Sequence, residues 1–152
     1  MFVEDLKSFV KEKSSAAHQT GELSLVVHAR RGDFPLCDQL SIDYYVSAIK
    51  ESGLHDVIVV SDTPQFVECL TSELKKIQND YEVRANRCFT MLDDFLLIAN
   101  SHNMVLSNST FSYWASQINP IKNVFVPENR KENIRWYLPM RNRNVSYIRS
   151  FS

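Results

Sequence analysis

The sequence predicts one α/β domain, a doubly wound parallel sheet of about five strands with helices on both faces, and three observations carry that expectation. Short, nearly continuous apolar runs such as "LSLVVHA" (23–29) and "HDVIVVSD" (55–62) have the pattern of strands covered on both sides. Segments of ten to fifteen residues with helical periodicity separate them, the rhythm of right-handed parallel crossovers. With 152 residues, 44% of them hydrophobic and 11% aromatic, the chain can bury a sizeable core.

Taken in order, "MFVEDLKSFVKEKSS" reads as a short amphipathic helix, and "LSLVVHA" as the first strand. A loop containing Gly32, Pro35 and Asp38 follows. "SIDYYVSAIKESG" offers Ser41 as an N-cap, places Ile42, Tyr45, Ala48 and Ile49 on one helical face, and stops near Gly53. "HDVIVVSD" is the second strand, and "TPQFVECLTSELKKI" opens with threonine and proline as helices do. "YEVRANRCF" is a strand candidate, "LDDFLLIANS" a helix, "NMVLS" a strand, "STFSYWASQI" a helix on which Tyr113 and Trp114 pack against the sheet, and "KNVFVP" the last strand. The segment from Arg130 to Arg149 carries six basic residues against Glu132 alone and reads as a solvated, partly frayed tail.

Composition excludes several classes. The 17 basic and 18 acidic side chains leave a net charge of −1, so no global field draws the chain to nucleic acid or membrane. Cys37, Cys69 and Cys88 are odd in number and widely spaced, which signals neither a disulfide framework nor a zinc site. No run approaches the ~18 apolar residues of a membrane span. No G-x-G-x-x-G follows a strand, and neither a G-x-x-x-x-G-K-[ST] phosphate loop nor an Asp-x-Asp pair for a divalent cation occurs.

The chemistry gathers at strand ends, where open parallel sheets bind ligands. The first ends in "HARRGD", the second in Ser61 and Asp62, and the fourth in "SNSTF" at 107–111. His28 and Arg30 share a face, while Arg31 starts on the other and reaches back only through the turn. Two adjacent guanidiniums call for an anion, and their planar forks match phosphate oxygens. Asp33 could hold one of them from behind. Ser109 and Thr110 hydroxyls, with backbone N–H groups at a helix start, make a second anion-binding edge. The pocket described is one for a diphosphate, with arginine in the place of a metal. The plain alternatives are a surface salt-bridge loop, a simple helix cap, and a hydrogen-bonded core histidine at His28; His18 and His55 read as solvated loop residues, and His102 as a helix-end residue.

"VVHARRGDF" resembles the H-x-R-R-x-D motif of fucosyltransferases that use GDP-fucose, and "DFLLIANSHNMVLSNSTFSYWAS" resembles the signature of the α1,2-fucosyltransferase family, which ends in N-S-[ST]-F-S-W-W. Tyr113 stands in place of the first tryptophan, and "YYVSAI" and "VVSDTPQFVE" fall in the family's order, so the resemblance runs over about residues 22 to 118. It implies a Rossmann-like nucleotide-sugar domain of a two-domain glycosyltransferase. By position, Arg30 would grip the β-phosphate, Arg31 would assist or shape the loop, and His28 would reach the ribose or a phosphate. Ser109, Thr110 and Phe111 would hold the diphosphate, Asp94 (with Asp93 the lesser choice) would recognise the guanine or its ribose, and Asp62 would sit at the nucleotide rim.

The reaction implied is transfer of L-fucose from GDP-L-fucose to the 2-hydroxyl of a galactose-terminated glycan, with inversion and without metal or other cofactor; Arg30, Arg31 and Asp33 are the candidate catalytic residues. The alternatives are a non-catalytic GDP-sugar-binding relative and a protein O-fucosyltransferase. The domain boundaries expected are a helical lead-in at 1–20, a GDP-fucose-binding domain at 21–126 and a tail at 127–152. The family implies a Golgi membrane location on the lumenal side, anchored by a missing N-terminus, or else the bacterial cytoplasm. "NVS" at 144–146 fits an N-glycosylation acceptor in the tail, whereas "NST" at 108–110 lies inside the pocket.

Overall fold

The structure, a computed structural model, describes residues 2–33, 35–36, 39–86, 90–118, 122–128 and 144–149. Helix α1 (Phe2–Lys13) and a 3₁₀ turn (Ala16–His18) lead into β1 (Ser24–Ala29), then α2 (Ile42–Ser52), β2 (Asp56–Ser61), α3 (Pro64–Ile77), β3 (Glu82–Ala85), α4 (Met91–Asn100), β4 (Asn103–Val105), α5 (Thr110–Gln117), β5 (Asn123–Glu128) and β6 (Asn144–Arg149). The strands lie in the order β3-β2-β1-β4-β5-β6, every neighbouring pair parallel. The sheet therefore has one strand more than expected. β6 lies within the segment that reads as a tail, and Asn144, the glycosylation candidate, is the first residue of that strand.

Alternation along β1 sorts the core into two layers. Leu25, Val27 and Ala29 join Tyr44, Tyr45 and Ile49 of α2 and Phe66, Leu70 and Leu74 of α3. Val26 faces the other way, with Val10 of α1, Leu96 to Ala99 of α4 and Ala115 of α5. Local chemistry sets the helix ends. The Ser41 hydroxyl accepts from Tyr44 N, and Gly53 closes α2 in the left-handed region at φ 68°. Pro64 opens α3, and the Thr90 and Ser109 hydroxyls cap α4 and α5.

Two polar side chains stitch these layers together from inside. Tyr44, fully buried on α2, donates its hydroxyl to Leu106 O at 2.6 Å. Lys122, just before β5, is 1% exposed and donates to Ile98 O and Ala99 O at the C-terminal end of α4. Carbonyls there lack intrahelical partners, so an ammonium suits the place, although burial pushes its pKa down to about 7.

Some expectations need correction. His18 is not a solvated loop residue: it is buried, takes the Ser15 N–H on Nδ1 at 3.0 Å, and therefore donates from Nε2 to Asp93 at 2.9 Å. His55 is half-exposed and bonded to Asp80 at 2.7 Å. The Trp114 ring meets Phe2 of α1 edge-on at 5.0 Å. Cys69 is exposed on α3, while Cys37 and Cys88 lie outside the described residues. Among the described residues no helix is long and apolar enough to cross a membrane.

Candidate active site

The strand order reverses direction between β1 and β4, and α/β sheets open a crevice beyond such a point. A cavity of about 550 Å³ lies beside that point, over the carboxyl ends of β1 and β2, walled by the start of α4 and by Phe111 of α5. His28, Arg30, Gly32, Asp33, Asp62 and Asp94 all line it.

Among the described residues, Arg30 is the cation that lines the cavity. Its Nε donates to one oxygen of Asp33 at 2.8 Å and its Nη2 to the other at 2.5 Å, a bidentate grip from one side. Asp33's hydrogen bonds raise the pKa of the guanidinium, and Arg30 in turn lowers that of Asp33. The residue so held lines the cavity. Arg31 does not line it: its Nη1 donates to Leu40 O at 2.9 Å and its guanidinium lies 4.8 Å above the Phe66 ring. Strand alternation sent this side chain to the α2 and α3 layer, where an aromatic face and a carbonyl hold it.

His28 sits behind Arg30 on the same face, 6% exposed, sharing a 2.8 Å hydrogen bond between Nδ1 and Ser107 Oγ and lying 5.6 Å from the Phe111 ring. Burial first, then the charge of Arg30, push its pKa down to about 4, so the ring is neutral at pH 7. Nε2 makes no hydrogen bond among the described residues.

The two adjacent aspartates of α4 part company, as consecutive helical positions must. Asp94 lines the cavity and accepts from Asn86 Nδ2 at 2.7 Å. Desolvation raises its pKa, with Asn86 opposing and Asp93 adding to the rise. Asp93 points away, to His18 and to the Thr90 hydroxyl at 2.5 Å.

The anion-binding edge expected at 109–111 takes a different form. Ser109 is buried with its hydroxyl accepting from Phe111 N at 3.3 Å, and neither it nor Thr110 lines the cavity; Phe111 does. The N-cap function occupies the serine, so the hydroxyl and that N–H satisfy each other. Asp62 lines the cavity, yet its oxygens accept the backbone N–H groups of Arg31 at 2.9 Å and Gly32 at 2.8 Å. Asn86, Ser107, Thr90 and Met91 are site residues that the sequence reading missed; only Thr90 had a local signal, the cap pattern of "TMLDD".

Chemically, the site offers a braced cation at one wall, a neutral imidazole beside it, and a carboxyl group across from them. That suits a ligand with an anionic middle and N–H donors at one end. Among the described residues no group of three or more His, Cys, Asp or Glu side chains is placed to hold a metal ion.

Comparison with known proteins bears on the fold and the family. An ADP-heptose LPS heptosyltransferase II of E. coli superposes with a TM-score of 0.53 at 15% identity, over 96% of this chain and 43% of that one, a likeness of fold. The O-antigen biosynthesis glycosyltransferase WbnK of Escherichia coli is 29% identical over 116 residues, 69% of this chain and 37% of WbnK. The chain thus spans less than half the length of either protein. The sequence profile of glycosyl transferase family 11 matches residues 4–135, from the first helix through the whole cavity wall and beyond β5. On that match the chain belongs to glycosyl transferase family 11, the α1,2-fucosyltransferase family.

Proposed function

We propose that this chain is the donor-binding half of an inverting, metal-independent galactoside α1,2-fucosyltransferase, and that the cavity takes GDP-L-fucose. The observation that carries the reading is Arg30, a cavity-lining guanidinium braced by both oxygens of Asp33. As the fucosyl–oxygen bond lengthens, negative charge grows on the departing GDP and the sugar gains oxocarbenium character. A preorganised guanidinium stabilises that charge more in the transition state than in the ground state, which is what accelerates the step. In this reading neutral His28 donates from Nε2 to a ribose or phosphate oxygen, Asp94 accepts N–H groups of the guanine, and Phe111 closes the cavity. Asp33 commits both oxygens to Arg30, which makes it the arginine's brace rather than the base at the acceptor hydroxyl. The acceptor is a galactose-terminated glycan.

Calorimetry with GDP-fucose, GDP and GDP-mannose, with and without chelator, tests the site. GDP should bind equally with chelator present, and Arg30→Ala should weaken it roughly 30- to 100-fold, the scale of lost charge-assisted hydrogen bonds. Unchanged affinity in Arg30→Ala would overturn the assignment. A transfer assay on lactose separates the enzyme from the second reading, a GDP-sugar-binding protein that transfers nothing, which the coverage of 37% of WbnK keeps in view.

A further inference from the structure

β1 and β2 run in register to the pair Ala29 and Ser61, so one step further Asp62 stands across from Arg30. There the chain leaving β1 turns, and two consecutive N–H groups, those of Arg31 and Gly32, point the same way. Such a pair is the kind of backbone concavity that elsewhere captures a phosphate. Here Asp62 fills it, one oxygen on each N–H, at 2.9 and 2.8 Å, with Thr63 Oγ1 beside it at 3.4 Å.

Gly32 makes that approach feasible. A Cβ on residue 32 would stand 3.0 Å from Asp62 Oδ2 and 3.2 Å from its Cγ, closer than a side-chain carbon tolerates without displacing the carboxylate. In this one-oxygen-to-each geometry an amide at position 62 would set its NH2 group against one of the two N–H groups and lose that bond. The pairing therefore favours a carboxylate just past β2 and a glycine in the turn that follows β1. It fixes the backbone on which Arg30 and Asp33 are mounted, three residues apart.

We infer that Asp62 is a positioning residue for Arg30: it holds the 31–32 turn from the neighbouring strand and thereby aims the guanidinium into the cavity. It is not a nucleotide ligand. The diphosphate is left to Arg30 because Asp62 already occupies the backbone anion site. The clamp is a property of the free chain, and its effect on ligand rests on the GDP-sugar reading above.

Two measurements separate these levels. In the ligand-free chain, amide exchange read by NMR should show Arg31 and Gly32 protected, with exchange at least tenfold faster in both Asp62→Asn and Gly32→Ala. Unprotected amides in the unaltered chain would overturn the clamp whatever the ligand. By calorimetry, each variant should weaken GDP roughly tenfold, the scale of one misaligned charged hydrogen bond, and leave guanosine unchanged. A general loosening of the fold would weaken both ligands alike. In an Arg30→Ala background neither substitution should weaken GDP further, because the residues act as a unit. Additive losses, or a loss in Asp62→Asn with Gly32→Ala silent, would make Asp62 a direct ligand and overturn the inference while the GDP-sugar reading stands. Absence of GDP binding in the unaltered chain would remove that reading and the ligand part of the inference, with the exchange data still deciding the clamp.

Discussion

Replacing His28 by glutamine and following stability against pH isolates the energetics of the buried ring. Burial and then Arg30 lower the His28 pKa from 6.5 to about 4, with Asp62 opposing. The folded value lies below the unfolded one, so between those two pH values the unfolded chain accepts a proton that the folded chain refuses. The associated stability is fully present above about pH 6.5, falls as pH drops toward 4, and levels off below. At about 1.4 kcal/mol per pH unit the whole loss is about 3 kcal/mol, a large share of the ~5–15 kcal/mol that holds typical domains folded. Glutamine keeps an amide that can bond Ser107 Oγ but does not titrate. Urea unfolding of both proteins at about pH 7.5, 6, 5 and 4 reads the difference. Asp33, Asp56 and Asp93, whose pKa values are lowered in the fold, titrate in both proteins and cancel in the comparison. The unaltered chain should lose about 3 kcal/mol relative to the variant over that range; parallel curves would refute the account of a neutral, desolvated imidazole.

Other outcomes follow from single features. Gly53→Ala should cost about 1 kcal/mol in thermal or urea unfolding, because φ 68° disfavours a Cβ even though nothing stands within 4 Å of it. Lys122 titrates near 7 in the fold and near 10.5 unfolded, so stability should climb between those values by up to about 1.4 kcal/mol per pH unit. In Lys122→Met that climb should vanish, as urea midpoints near pH 7 and 10 would show.

How legible this was varied with burial. β1 and β2 are apolar on both faces, and Ser41, Gly53 and Pro64 punctuate the helices beside them, so rhythm and caps agreed. β6 was hidden: as an edge strand it buries only Ile148, and "NVSYIR" carries too little apolar signal to distinguish it from a tail. In the site, the loop from His28 to Asp33 was legible because charges at the end of a buried strand are unusual. The partners that hold Arg31, the opposite orientations of Asp93 and Asp94, and the support from Asn86 and Ser107 were not. Those depend on partners 8 to 79 residues away in the chain, set only when the layers pack.

The hydrogen bond between His18 and Asp93 gives the N-terminal residues a practical importance. The first turn of α4 supplies both Asp94 to the cavity and Asp93 to His18, so one helix start serves as wall and as mooring. A recombinant chain begun at Gly21 would retain every residue around the cavity and yet leave that turn to its own cap and the Asn86 bond to Asp94. Tags and trims for expression therefore belong ahead of Phe2, where they spare the mooring and the Trp114 contact together.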